Sequence, residues 1–535
     1  MDTDEMREAL KSNVKKVKEP FLKVILKILF SRIMLIAILI AVQCYFLYVG
    51  LNWLSGYWKY FSLGCNILAG VVIIVILNSK KNEAYKLSWS IIVAVLPVAG
   101  LVIYILTHLN PLDKRPLHKI NMKIEESKEY SVTPLPVRDR VAEGDKGLQK
   151  VVKYLETTGG FPCFDNTEVK YYPIGDDVFE DMCAELEKAE EFIFIEYFII
   201  APGHFWDTIL DILERKVNEG VEVRVMYDDM GCLWTLPRRY YKKLHNKGIM
   251  SHVFAPIRPF ISTYYNNRDH RKIMVIDGKV AFSGGINLAD EYINEFKRFG
   301  TWKDNAFMLR GDAVRNYTLM FLQMWNATKE IDKAEGYKEY LNVDSFRKPD
   351  LDTDGFVIPY ADGPNRQDGV AENVYLDIIN GATNHIDIMT PYLIPDNNIL
   401  HALKHAAKTG VEVNLIMPHI PDKKLINLVS KSYYRELIRA GVHIFEYTPG
   451  FVHTKMVAAD TTICATGTVN LDYRSLYLHY ECACLMYKNS AIADIEDDFS
   501  KTLAKCSEIT LEKIDSWTVF FTIFTSILRV FAPLL

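Results

Sequence analysis

Apolar residues along this chain fall into two regimes. Near the N-terminus they form long runs, Ile33 to Leu54, Ser62 to Leu77 and Leu87 to Leu106. Beyond residue 107 they mostly alternate with polar positions at the short periods of strands and helices. A helix needs roughly 20 apolar residues to cross the hydrocarbon of a bilayer. The first and third runs reach that length and are expected to span. The second is short, and is expected to be re-entrant or to be lengthened by its flanks. Mixed-charge residues precede the first run, which argues against a cleaved signal peptide.

The later region repeats itself. A buried-strand pattern at Phe192 to Ile200 is followed by a helix and then by a second strand pattern from Gly220. The same order recurs from His385 and from Gly410. Helices holding Tyr240 to Gly248 and Tyr433 to Gly441 come next, each followed by another strand. Strands alternating with helices predict an α/β fold: two duplicated lobes, each a mixed sheet flanked by helices. The boundaries expected are a membrane region at 1–110, a linker at 111–160, lobes at 161–345 and 346–505, and an apolar C-terminal helix at 506–535. That last segment, Trp517 to Leu535, carries one charged side chain, Arg529. It fits either a buried helix closing the fold or a helix in the membrane interface.

Charge and cysteine content narrow the picture a little. At 535 residues the chain is too long for one core, and a formal charge of −5 gives no support for a nucleic-acid partner. The nine cysteines lack any paired metal spacing and fit small buried hydrophobes in a reducing compartment. Basic residues give a divided account of orientation. Lys11, Lys15, Lys16, Lys18, Lys23, Lys27 and Arg32 favour a cytoplasmic N-terminus, and Lys80, Lys81 and Lys86 a cytoplasmic second loop. Three crossings would put the large region outside, yet Lys114, Arg115, Lys119 and Lys123 argue for inside. The expectation is a multi-pass protein of the cell membrane with its catalytic region in the cytoplasm.

The chemistry sits at matching places in the two lobes. His270, Lys272, Asp277, Gly284 and Asn287 share the spacing H-x-K-x4-D-x6-G-[GT]-x-N with His453, Lys455, Asp460, Gly467 and Asn470. One H-x-K is weak, because chance produces it often. The same five residue types at one spacing, twice, in a duplicated lobe, form a strong signal. Alternate residues of a strand share a face, so His270, Lys272, Met274 and Ile276 are expected to point one way. Asp277-Gly278 is a hairpin signal, with Val280 to Ser283 returning alongside; Asp460-Thr461 is a weaker one. Joining the lobes about a pseudo-twofold axis would gather two imidazoles and two ammoniums in one pocket. Lysines and asparagines suit the non-bridging oxygens of a phosphodiester. One histidine can attack phosphorus while the other protonates the leaving oxygen. No metal or other cofactor is required, because the lysines supply the positive field.

These paired motifs resemble the HKD motifs of the phospholipase D superfamily, and the wider sequence resembles the bacterial cardiolipin synthases. The resemblance extends through Ala84–Trp89 with Pro97 and Gly100, Glu196–Ile200, Tyr227–Asp229, Asn267–Lys272, Asn287–Tyr292, Gly300–Asp304, Thr390–Asp396 and Asn470–Ser475. It implies that two phosphatidylglycerol molecules in the bilayer react to give cardiolipin and glycerol through a phosphohistidine. On it, His270 is the expected nucleophile and His453 the acid and base, the motifs themselves being too symmetric to decide. Lys272, Lys455, Asn287 and Asn470 would hold phosphate, and Asp304 and Glu481 would orient the histidines. Asp277 and Asp460 would organise the strand turn and lysine network. Gly285 and Thr468 stand where serine is common in the superfamily. Tyr227, Trp234, Phe260, Tyr264 and Tyr265 are candidates for an acyl-chain groove and equally for core. The alternatives are a phospholipase D-type hydrolase, a transferase using phosphatidylethanolamine or another alcohol, a nucleic-acid phosphodiesterase, and a non-enzymatic membrane protein.

Overall fold

The computed structural model describes residues 45, 48–49, 58–108, 114–257, 266–328, 336–341, 353–366 and 368–534. The first apolar run lies outside them, apart from Tyr45, Tyr48 and Val49. The second run is lengthened by its N-terminal flank, one of its two expected outcomes, and the third is divided. Ser62 to Leu77 belongs to a 20-residue helix, Trp58–Leu77, in which Tyr60–Leu77 is the one segment among the described residues long and apolar enough to cross a membrane. Leu87 to Leu106, expected to span, is divided between the helices Glu83–Val95 and Pro97–His108. Proline lacks an amide hydrogen and crowds the preceding turn, so Pro97 opens a new helix and leaves two short ones. A Cβ on Gly100 would lie 2.6 Å from the Ile92 carbonyl oxygen, so only glycine permits that close approach.

The large unit holds both lobes. In lobe 1 the strands are β1 (Thr167–Tyr172), β2 (Phe192–Tyr197), β3 (Glu222–Asp228), β4 (Met250–Phe254), β5 (Lys272–Ile276), β6 (Val280–Gly284), β7 (Thr301–Lys303) and β8 (Ala306–Gly311). Seven of them form a sheet in the order β1-β8-β6-β5-β2-β3-β4. Lobe 2 contributes β9 (Phe356–Asp362), β10 (His385–Met389), β11 (Leu393–Ile394), β12 (Glu412–Pro418), β13 (His443–Tyr447), β14 (Gly450–Val452), β15 (Met456–Ala459), β16 (Ile463–Gly467), β17 (Leu471–Asp472), β18 (Glu481–Tyr487) and β19 (Cys506–Glu508). Its sheet runs β9-β18-β16-β15-β10-β12-β13, the lobe 1 order strand for strand, with β19 added at the edge. In each, a parallel β-α-β block (β2-β3-β4, β10-β12-β13) meets an antiparallel block. The helix Val314–Thr328 packs on β2, β4 and β5 of one sheet and on β9 of the other. It is buried from Asn316 to Ala327, as a helix apolar on most sides must be.

The stretch 111–160, expected to be a linker, contains the helices Lys114–Glu126, Leu135–Glu143 and Lys146–Tyr154. Ile120, Val137, Val141, Leu148, Val151 and Val152 recur at helical spacing and are buried in the main core. The described cysteines are all free, and Cys482 and Cys484 are buried in β18.

Candidate active site

Each motif begins where one lobe docks its backbone on the other. The His270 amide donates to the Tyr480 carbonyl at 2.9 Å, and the Tyr480 amide to the Arg268 carbonyl at 2.8 Å. In the other half β14 pairs with β7, and the His453 amide donates to the Lys303 carbonyl at 2.7 Å. The residue after each accepting carbonyl is an acid, Glu481 or Asp304. That register brings each acid to the histidine of the opposite lobe. His270 Nδ1 lies 2.9 Å from Glu481 Oε2, and His453 Nδ1 lies 2.6 Å from Asp304 Oδ2. His270 was expected inside the strand; it stands just before β5, because its backbone is paired with Tyr480 instead of with the sheet.

Lys272 and Lys455 are fully buried, each ammonium turned back on the carbonyl of its own histidine, Lys272 Nζ at 2.7 Å from the His270 oxygen. Burial disfavours the charged form, lowering Lys272 to about 8 and Lys455 to about 7 against the pull of the nearby carboxylates. Burial also raises Asp304 to about 6, opposed by Lys455 and Lys272. Glu481 behaves differently. Burial pushes its carboxyl up, but His270 and the hydrogen bonds it accepts outweigh this and hold it below the usual range. Burial depresses both histidines.

The half-sites differ in their surroundings. Thr468 Oγ1 donates to Glu481. At the matching position a Cβ on Gly285 would collide with the Asp304 carboxylate, so glycine is what the shorter acid requires there. Arg271, beside His270, lies 2.9 Å from Glu196 and 3.2 Å from Asp269, while Arg268 reaches Asp228 at 3.3 Å, all five buried. His270 has one aromatic ring beside it, Phe198 centred 5.0 Å away, and His453 has three, Trp302, Phe451 and Tyr292, centred 5.3, 5.6 and 5.8 Å away. Lys455 Nζ also approaches His453 Nδ1 at 2.7 Å.

Not every expected residue enters the site. Asp277 and Asp460 stand at the far ends of β5 and β15. Asp277 accepts from the amides of Glu190, Glu191 and Phe192, and Asp460 from those of Thr383, Asn384 and His385. Each fixes the start of the neighbouring strand, β2 or β10, and neither reaches the lysine it was expected to help organise. Asn287 and Asn470 are buried, with one amide donor of each already engaged, by Tyr292 Oη at 2.7 Å and Ser475 Oγ at 3.1 Å. One N–H of each remains for a ligand. Tyr227 is core, its hydroxyl accepting from the Tyr241 amide, whereas Trp234 is exposed. Phe260, Tyr264 and Tyr265 lie outside the described residues. Sequence reasoning missed His479, a third imidazole whose ring centre is 5.6 Å from that of His270 and whose Nδ1 is 3.6 Å from Glu481. Its position two residues before the acid was the available signal.

Comparison with known proteins agrees with this geometry. Residues 182–325 and 375–503 match the family described as cardiolipin synthase, PLD-like domain, and residues 67–107 match a phospholipase D-nuclease N-terminal domain. A cardiolipin synthase of Geobacillus sp. is 32% identical across 90% of this chain and 96% of its own length. An uncharacterized protein of Streptococcus mutans is 45% identical across 86% of this chain and 99% of its own. In fold, the crystal structure of phosphatidylserine synthase from Haemophilus influenzae Rd KW20 superposes with a TM-score of 0.55 at 14% identity, covering 73% of this chain and 100% of that one. The paired histidine motifs and the matched lengths lead to one assignment: the chain belongs to the cardiolipin synthase family of phospholipase D-like proteins.

Proposed function

We propose that this protein is a cardiolipin synthase that transfers a phosphatidyl group between two phosphatidylglycerol molecules. The observation that carries the reading is the crossed pair of histidine–acid contacts, each beside a buried lysine. His270, with Nδ1–H donated to an ionised Glu481, presents the Nε2 lone pair to phosphorus. It forms a P–N bond as the P–O bond to glycerol breaks, and His453, which enters this step as the imidazolium, gives the leaving oxygen its Nε2 proton and becomes the neutral base. His453 then takes the proton of a glycerol hydroxyl on the second phosphatidylglycerol. That oxygen displaces His270, and cardiolipin and glycerol result. Lys272 and Lys455, with the remaining N–H of Asn287 and Asn470, hold the non-bridging oxygens as charge builds. Asp304 and Glu481 orient the rings. The near-complete burial of both histidines favours transfer to a lipid hydroxyl over hydrolysis. The protein acts at the cell membrane as a multi-pass protein with its catalytic lobes on the cytoplasmic side.

The test is turnover of labelled phosphatidylglycerol by the purified chain in detergent with a chelator present. Cardiolipin and glycerol in equal amounts, lost in His270→Ala and His453→Ala, are expected. Phosphatidic acid alone would make water the acceptor and sink the transferase reading. No turnover until phosphatidylethanolamine is added would move the reading to that co-substrate.

A further inference from the structure

The helix Val519–Val530 is amphipathic with its faces reversed relative to an ordinary surface helix. Val519, Phe520, Ile523, Phe524 and Ile527 point outward, Phe520 being 78% exposed. Thr525 is buried on the opposite side, where the helix packs on Lys424–Arg439. A surface helix normally turns its apolar stripe inward. An outward stripe of this size marks an interaction surface, and phenylalanine and isoleucine on one face suit the headgroup–acyl boundary of a bilayer.

Beside the stripe, between the two helices, is a cavity of about 340 Å³ lined in part by Lys431, Arg435, Glu436, Arg439, Trp517 and Thr522. Its charges do not cancel. Lys431 pairs with Glu446, Arg435 with Asp515, and Lys404 and Arg529 share Glu436. Arg439 is exposed and has no partner among the described residues. Of the charged side chains that line the cavity, three are cations, Lys431, Arg435 and Arg439, and one is a carboxylate, Glu436. Trp517, at the head of the helix, is the residue type that favours the membrane–water boundary.

The end of the helix is also tied to the segment Lys80–Ser88 of its own unit. Ser88 Oγ donates to the Val530 carbonyl at 2.6 Å. From the reversed helix and the unbalanced cavity, we propose that the C-terminal helix lies in the bilayer interface. In this arrangement the adjoining cavity binds the headgroup of an anionic phospholipid, at a site separate from the two histidines.

The test uses the full chain in liposomes, in a His270→Ala background so that no lipid is consumed and the outcome is independent of turnover. A photo-reactive benzoylphenylalanine replaces Phe524, or Lys501 as a polar control. The Phe524 probe is expected to capture labelled phosphatidylglycerol over labelled phosphatidylcholine by about fivefold, the size of effect one basic side chain has near an anionic surface. Arg439→Ala and Lys431→Ala should each reduce that preference, and the Lys501 probe should capture no lipid. Capture of a second copy of the chain, or of no lipid, overturns the interfacial helix. Equal capture of the two lipids, unchanged by Arg439→Ala, overturns the headgroup site.

Discussion

The two halves of the active site share a backbone plan and differ in almost everything that touches their histidines. Around His270 one aromatic ring, Phe198, is centred 5.0 Å away, and the other neighbours are polar: an ionised Glu481 with a hydroxyl donor from Thr468, a second imidazole at His479, and the buried Arg268–Asp228 and Arg271–Glu196 pairs close by in sequence. Around His453 they are three aromatic rings, an acid raised to about 6 and a lysine lowered to about 7. The first setting fixes one tautomer and leaves a lone pair free. The second keeps several protons near their exchange point at neutral pH. Duplication thus preserved the strand order and the crossed docking, while side chains divided the labour between a bond-forming and a proton-moving imidazole.

That division can be broken most directly by trapping. Either His→Ala substitution is expected to cut turnover by about ten-thousand-fold. The two variants should differ in what remains. With labelled phosphatidylglycerol and rapid quenching, His453→Ala should still accumulate label on the protein, slowly, and His270→Ala should accumulate none. The reverse pattern would exchange the roles of the two histidines.

A smaller effect is expected from crossing the residues that shape the acids. Gly285→Thr would force a side chain onto Asp304 and cost ~1–3 kcal/mol of stability along with most of the activity. Thr468→Val removes a donor to a buried charged acid and should cost ~1.5–3 kcal/mol of stability while lowering kcat by only roughly tenfold. Thermal melts check the stability costs, and kcat separates the two cases. Equal effects on kcat would show that the positions are interchangeable.

The pH dependence sharpens the comparison further. As pH falls through about 6, Asp304 gains a proton and no longer receives His453 Nδ1–H as an anion, so activity falls. As pH rises through about 7 to 8, Lys455 and Lys272 lose the charge that holds phosphate, and activity falls again. The profile should be a bell centred near neutrality, and Asp304→Asn should remove its acid limb. Stability should move the other way on the alkaline side. Both lysines have a folded pKa below the ordinary 10.5, so between about 7 and 10.5 the unfolded chain binds more protons and stability rises with pH. A melting temperature that fell across that window would contradict the buried, depressed lysines.

The sequence made the lobes, the paired motifs and the strand order's repetition legible, because periodicity and spacing are local. It also holds local signals in Pro97, inside the third apolar run, and in the helical spacing of Leu117, Ile120 and Ile124. What it could not carry was the crossing of Asp304 to His453 and Glu481 to His270. That contact depends on the register of β14 against β7 and of Tyr480 against Arg268 and His270, set by how whole lobes pack. Nor does helical spacing tell which face of Val519–Val530 turns outward. The sequence likewise does not show that Tyr292 takes one of the two N–H groups of Asn287 and leaves the other for phosphate.

The slightest contrast lies far from the chemistry, at the hairpins that follow each motif strand. Asp277-Gly278 and Asp460-Thr461 adopt the same left-handed turn, with φ of 52° and 61° in the first and 54° at both residues of the second. Both aspartates hold the next strand by its amides, so the conformation is imposed in each lobe. Glycine meets it freely; an exposed β-branched threonine bears ~1–2 kcal/mol of strain. Thr461→Gly releases that strain but adds ~0.5–1 kcal/mol of unfolded-state entropy. The net gain should be under about 1 kcal/mol, a rise of roughly 2 °C in Tm by scanning calorimetry. Gly278→Thr should lose a similar amount. If the two changes shift Tm in the same direction, the hairpins are not equivalent, and the symmetry of the lobes ends at the motif strands themselves.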